Sequence, residues 1–324
     1  MLSIGDLRNR LVALADESSR GNPEIYRLFC YRLSKQAGAE ALRDELAEMI
    51  SDRHPLVSAV PEPMRRIIRT HLRFFWEQAP PDFDLRGANI GNLMLTGGYV
   101  SQEHDIRSTL FLFSQLLEVR GTVLPTADST AHLAARMSDG TTLVGQHRMT
   151  GKEVAPLTTA IDSMYLVETL DDQTPIEVPA STSALKRIAK ADLICYPMGS
   201  FYTSVLANLL PRGVGSAVAA AGCPKIYIPS SGRDPERVGL GIEQSVERLL
   251  DVLRADCGGD VETRDLIDLV LVDTNGAEYE PAIDKARIEA LGVSVVDAPL
   301  TDPRDEKPGL SAQLLAEALL SLGQ

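Results

Sequence analysis

Residues 191–210, ADLICYPMGSFYTSVLANLL, constrain the fold more than any other stretch of this chain. An apolar run, Leu193 to Tyr196, stops at the turn Pro197-Met198-Gly199-Ser200, and an apolar helical pattern starts at Phe201. The pattern predicts a buried strand, a glycine turn and a helix over 201–210, with Ser200, Tyr202, Thr203 and Ser204 at its first turn. In open parallel sheets ligands bind at the carboxyl ends of the strands, where such a helix offers unpaired N–H groups. Hydroxyls gathered there suit a phosphate oxygen. A capping role for Ser200 uses the same N–H groups, so capping and binding are compatible.

The first 120 residues read almost wholly as helix: Leu7–Ala15, Pro23–Lys35, Ala39–Ile50, Pro63–Gln78, Ile90–Tyr99 and Glu103–Val119. Leu42, Leu46 and Met49 show the three-to-four spacing of an amphipathic helix. Strand signals follow. His132–Met137 and Thr141–Gln146 flank Ser138-Asp139-Gly140, a hairpin signature, and Met164–Val167 continues the β character. From residue 190 the pattern alternates. Strands over Leu193–Tyr196, Lys225–Ile228, Leu266–Val272 and Val293–Val296 are separated by helices over Gly215–Ala221, Pro235–Arg254 and Pro281–Leu291, and Ala312–Leu320 closes the chain. Asp234 and Pro235 read as the N-cap and first position of the middle helix. Continuous apolar strands between helices predict a parallel sheet covered on both faces. The expected fold is a Rossmann-like, three-layer α/β domain over 1–324, with a helical part (1–120), a β-hairpin insert (121–170) and an alternating half (190–324).

A net charge of −13 would repel nucleic acid and anionic membranes. No apolar run approaches the ~18 residues a membrane span requires. The cysteines Cys30, Cys195, Cys223 and Cys257 lack any C-x-x-C spacing. They read as reduced thiols of a cytoplasmic protein. The histidines (His54, His71, His104, His132, His147) have no metal spacing, and no G-x-S-x-G elbow is present.

Three ordered motifs carry a resemblance. Gly5 to Asp16, G-D-L-R-N-R-L-V-A-L-A-D, is similar to the G-D-I-R-N-x-L-x-A-L-A-D segment of the CofD/YvcK-like family. Asn89-Ile90-Gly91-Asn92-Leu93-Met94-Leu95 resembles that family's G-N-L-L-L helix start, and Gly199-Ser200-Phe201-Tyr202-Thr203-Ser204-Val205 resembles its G-S-L-Y-T-S-V. The likeness is closest to the branch known as GAK-system CofD-like proteins. It implies a transferase that takes a nucleoside-diphosphate-linked donor and passes a phospholactyl-type group to a hydroxyl acceptor, with Mg²⁺ as cofactor. The alternative is a YvcK-type regulator that binds nucleotide sugars without turnover. A scaffold that keeps only the fold is a third option. A homodimer is expected by resemblance.

Two departures bear on this. The family's opening strand with G-G-G-T-G and its D-D-G-G-S-S-G segment are absent before Gly5, which suggests a start at an internal methionine of a longer protein. The turn Pro197-Met198-Gly199-Ser200 stands where the phospholactate transferases carry P-S-N-P, which places the chain nearer the YvcK side.

Phosphoryl-group displacement needs positioned phosphates, charge neutralisation and usually Mg²⁺ held by one or two carboxylates. Asp6 is the candidate acid and metal ligand, with Arg8 and Asn9 for phosphate; a helix cap and a surface ion pair explain the same residues. Asn89, Gly91 and Asn92 are candidate phosphate or nucleotide contacts; an N-cap with tight helix packing explains them too. Gly199, Ser200, Tyr202, Thr203 and Ser204 are the strongest group. Asp273, in Asp273-Thr274-Asn275-Gly276 at a strand end, is a weaker catalytic candidate, since a turn accounts for it as easily.

Overall fold

The computed structural model describes residues 3–18, 21–150, 155–302, 304 and 309–323. They divide into two compact units, residues 3–125 and 126–323.

The first unit is helical: α1 (Ile4–Leu14), α2 (Pro23–Cys30), α3 (Ala39–Ile50), α4 (Pro55–Ser58), α5 (Met64–Gln78), α6 (Ile90–Ser101) and α7 (Ile106–Leu116). The apolar stripe read from the sequence is its core: Leu42, Leu46 and Met49 of α3 are fully buried. They join Leu11, Phe29, Ile68, Leu72, Met94 and Phe113 from the other helices in one hydrophobic cluster. The sixth helix, α6, lies deepest, and its glycines are the reason it can. A Cβ on Gly97 would sit 1.8 Å from the His71 carbonyl oxygen of α5, and one on Gly91 would sit 2.4 Å from the Phe29 carbonyl oxygen of α2. Both helix backbones pass α6 where a side chain would stand.

In the second unit β1 (His132–Met137) pairs antiparallel with both β2 (Thr142–Val144) and β3 (Ile161–Val167). The predicted hairpin is therefore widened into a three-stranded sheet. Leu133, Ala135 and Met137 alternate onto the main core, while Ala134 packs with Val144 and Val167 on the opposite face. The helix α8 (Thr182–Ile188), capped by Ser181, leads into β4 (Ile194–Tyr196). Then follow α9 (Val214–Ala220), β5 (Lys225–Tyr227), α10 (Ile242–Ala255), β6 (Leu269–Val272), α11 (Lys285–Ala290), β7 (Ser294–Asp297) and α12 (Ala312–Leu322). The strands β4-β5-β6-β7 form one all-parallel sheet in sequence order. Period-two alternation splits its side chains between layers. Tyr227, Val270 and Val272 face α9, α10 and α11, and Ile226, Leu271 and Val296 face Leu315 and Leu319 of α12. This is the three-layer α/β arrangement that the alternation predicts.

Two expectations are corrected. The helix over 201–210 is a π-type turn, Phe201–Val205, followed by a 3₁₀ turn, Leu206–Asn208. The Ser200 carbonyl accepts from both Ser204 and Val205, the wide register of a π turn. The helix expected from Pro235 begins only at Ile242. Asp234 accepts from the N–H of Glu236 and turns the chain, and the Gln244 side chain, accepting the Gly241 N–H at 2.7 Å, marks the real start. Among the described residues no helix is long and apolar enough to cross a membrane.

Candidate functional site

The candidates fall into two groups, one in each unit. In the helical unit α1 packs on α6. A Cβ on Gly5 would lie 3.9 Å from Asn92 Nδ2, so the Asn92 amide stands against the start of α1. Arg8 follows Gly5 by three residues and so shares its helix face. The Arg8 guanidinium lies near that of Arg32, which follows α2. Burial is the larger cause holding Arg8 below the ordinary guanidinium range, and repulsion by Arg32 adds to it; nearby Cys30 opposes them. Neither arginine has a carboxylate within ion-pair distance among the described residues. Arg32 donates to the Gly87 carbonyl at 3.0 Å. The Arg8 Nε and the Asn92 Oδ1 are both buried without any hydrogen-bond partner. Two crowded cations and an unmet donor call for an anion; the orphaned amide atom can turn its NH₂ to the same ligand, since the two ends of an asparagine amide exchange by a flip.

The other residues of this group divide. Asn9 is exposed on α1. Asp6 offers a single carboxylate, which already accepts from the Ser3 hydroxyl. Asn89 is 2% exposed, and its side chain is fully used. Its Oδ1 accepts from the Asn92 N–H at 3.1 Å, and its Nδ2 donates to the carbonyls of Cys30 and Tyr31. It is the N-cap of α6. Gly91 is the close-packing glycine described above. As ligand contacts, Asn89 and Gly91 are therefore corrected to structural positions: their polar and steric capacity is spent inside the protein.

In the α/β unit the turn after β4 holds Gly199 to Ser204. Here the expectation of open N–H donors is corrected. The Phe201 N–H donates to Asp234 at 2.8 Å. The N–H groups of Tyr202 and Thr203 donate to Glu236 at 3.0 and 2.9 Å, and the Thr203 hydroxyl donates to the same carboxylate at 2.6 Å. The Gly199 N–H donates to the Ser230 hydroxyl. The chain's own carboxylates sit where a phosphate was expected. Glu236 is 1% exposed, and burial pushes its carboxyl above the usual range against the pull of the Thr203 donors. Tyr202 is buried as well. Its hydroxyl donates to the Ile161 carbonyl at 3.1 Å, and burial raises its phenol to about 12. Ser200 and Ser204 are half-buried. Their hydroxyls engage no partner among the described residues, so of this group they alone remain open to a ligand.

Asp273, at the end of β6, is 3% exposed. One carboxylate oxygen accepts from the N–H groups of Asn275 and Gly276, the other from those of Leu300 and Thr301 and from the Thr301 hydroxyl. Burial opposes its ionisation, but these donors outweigh burial and hold the carboxyl below its usual range. Its catalytic assignment is corrected for that reason: the carboxylate is saturated and ties the ends of β6 and β7 together. Asp273→Asn is expected to lower stability by about 2 kcal/mol, read from a urea midpoint, because an amide can accept at only one of its two ends.

Among the described residues no three His, Cys, Asp or Glu side chains gather as a metal-binding set. Asp6 fits the other mode by which Mg²⁺ is held, one protein carboxylate plus ligand phosphates. Arg32 and Glu236 escaped the sequence reading, and Asp234 was read as a helix N-cap rather than as an acceptor for the turn after β4. Arg32 lies 24 positions from Arg8 with no local motif around it. Asp234 and Glu236 do have a weak signal, two acids spaced by one residue just after an apolar strand.

The family model described as 2-phospho-L-lactate transferase CofD matches residues 1–301. A gluconeogenesis factor from Halalkalibacterium halodurans is 30% identical over 251 residues, covering 73% of this chain and 70% of that protein. One from Listeria monocytogenes is 28% identical over 251 residues, covering 74% and 71%. With the Bacillus subtilis protein of the same name the match narrows to 145 residues at 32% identity, 45% of this chain and 42% of the relative. A crystal structure of a UPF0052-family protein from Bacillus halodurans covers 97% of this chain and 82% of its own, at 24% identity and a TM-score of 0.66. That likeness concerns the fold.

Proposed function

Because this chain belongs to the 2-phospho-L-lactate transferase CofD family, and its relatives carry the name gluconeogenesis factor, we propose that it binds the phosphates of a nucleoside-diphosphate-linked small molecule and acts as a regulator that does not turn this ligand over. The observation that carries the reading is the pair Arg8 and Arg32. They are crowded cations with no acid within ion-pair distance among the described residues, beside the orphaned Arg8 Nε and Asn92 Oδ1. A diphosphate would supply the missing charge and accept the missing hydrogen bonds, the use to which planar guanidinium groups are best suited. Regulation is favoured over transfer because the acids beyond the ends of the parallel strands are engaged. Asp273 is saturated by five donors, and Asp234 and Glu236 hold the turn after β4.

The transferase reading keeps one support, the description of the family model. In that reading Asp6 would hold Mg²⁺ together with phosphate oxygens, and the ion would neutralise charge on the leaving group.

Titration calorimetry with ADP, GDP and UDP tests the binding claim. At least one is expected to bind, and Arg8→Met to weaken it about tenfold or more, which corresponds to about 1.4 kcal/mol. Glu48→Gln, at an exposed position on α3, serves as the unaffected control. Failure of all three nucleotides to bind, or equal affinity in Arg8→Met, would contradict the proposal.

A further inference from the structure

The α/β unit contains a cavity of about 480 Å³ that the Asp273 loop does not line and that the strand-end turn reaches through Tyr202. Its wall on α10 runs from Arg248 to Ala255, the carboxyl-terminal half of that helix. A crossover helix runs back along the parallel strands, so this half lies toward their amino ends, away from the edge where Gly199 and Ser200 stand. The antiparallel sheet supplies another wall through Asp162, Ser163 and Met164. The volume is in the range of small-molecule sites.

Its interior is aliphatic: Met164, Ile176, Val178, Leu206, Leu209 and Val252. Its mouth is charged and lopsided. Arg212 pairs with Glu177 at 2.8 Å, and Arg248 with Asp162 at 3.6 Å. Asp256 is occupied by the N–H groups of Gly213 and Ser216. That leaves the exposed Asp251, which also lines the cavity, with no partner among the described residues. Both cations are neutralised and one anion is not, on a chain whose net charge is already −13. The interior asks for an alkyl chain and the mouth for a positive head.

We propose that this cavity is a second ligand site, for an aliphatic cation of the alkylammonium type. The alkyl chain lies against Leu206, Leu209 and Val252, and the ammonium rests at Asp251. Tyr202, whose ring forms part of the wall, is a building residue of this site and not a phosphate contact.

Calorimetry on the full chain with hexylammonium, hexanoate and 1-hexanol tests this. Hexylammonium is expected to saturate one site and to bind about fivefold tighter than hexanoate. Asp251→Asn should reduce that preference while leaving hexanol binding in place, and Val252→Trp, which fills the interior, should remove binding of all three. The proposal is overturned if hexylammonium shows no saturable binding, or if hexanoate binds as well or better. It is equally overturned if Asp251→Asn leaves the preference intact. This last comparison reads charge at the surface, so it decides the matter even where the tryptophan variant fails to fold.

Discussion

Gly97→Ala is expected to destabilise the helical unit by about 3 kcal/mol or more, a large effect for one added methyl group. The added carbon would stand 1.8 Å from the His71 carbonyl oxygen, 2.7 Å from the carbonyl carbon and 3.0 Å from the Phe75 nitrogen. All three are backbone atoms of α5, so no side-chain rotation relieves the contact, and α5 and α6 must separate. Separation opens gaps beside Leu72, Met94 and Phe113, which are fully buried in the same cluster. Lost dispersion then adds to the strain. The chain's one tryptophan, Trp76, lies on α5 and reports this unit by fluorescence. A clearly lower urea midpoint for that signal is the predicted result. A midpoint unchanged from the parent would mean that the helices do not pass at this distance.

The second large effect is on acid stability. His71 is 5% exposed, its Nδ1 is buried without a hydrogen-bond partner, and its ring packs 5.4 Å from that of Phe113. Burial lowers its pKa to about 4, against an ordinary value of 6.5. The folded unit therefore refuses a proton that the unfolded chain accepts. The stability that His71 contributes by staying neutral is complete above pH 6.5. It falls as the pH drops toward 4, by about 2 kcal/mol at pH 5 and about 3 kcal/mol in all. His71→Phe preserves an aromatic ring beside Phe113 and has no proton to take. Between pH 7 and 5 the parent should lose about 2 kcal/mol more than this variant, again followed at Trp76. Parallel losses in the two proteins would show that His71 is charged when folded or is not buried.

The contrast between these two residues and the phosphate candidates shows what a sequence can disclose. Apolar periodicity is a local signal, and it located α3, α5 and α6 and all four parallel strands to within three residues at most ends. The turn after β4 also fell where the apolar run stopped. What escaped was long-range and polar. The N–H groups of Phe201, Tyr202 and Thr203 looked free because their acceptors, Asp234 and Glu236, come more than thirty positions later, beyond β5. Gly91 looked like a ligand glycine because the Phe29 carbonyl that needs its bare face lies on another helix. Arg8 was legible through its motif, but its significance depends on Arg32, which no spacing connects to it. Asn89 and Asn92 are the same letter in the same motif; only the structure shows that the Asn89 amide is spent on the carbonyls of Cys30 and Tyr31, while Asn92 Oδ1 is buried without a partner.

Binding of a nucleoside-diphosphate-linked ligand without turnover is the claim on which the account rests. Phosphorus NMR of a nucleoside diphosphate sugar, mixed with an equal amount of protein and Mg²⁺, reads both halves of it at once. The two diphosphate resonances should broaden or shift with the parent chain and return to their free positions with Arg8→Met, and no monophosphate resonance should grow. Unperturbed resonances, or the steady appearance of a nucleoside monophosphate, would contradict it.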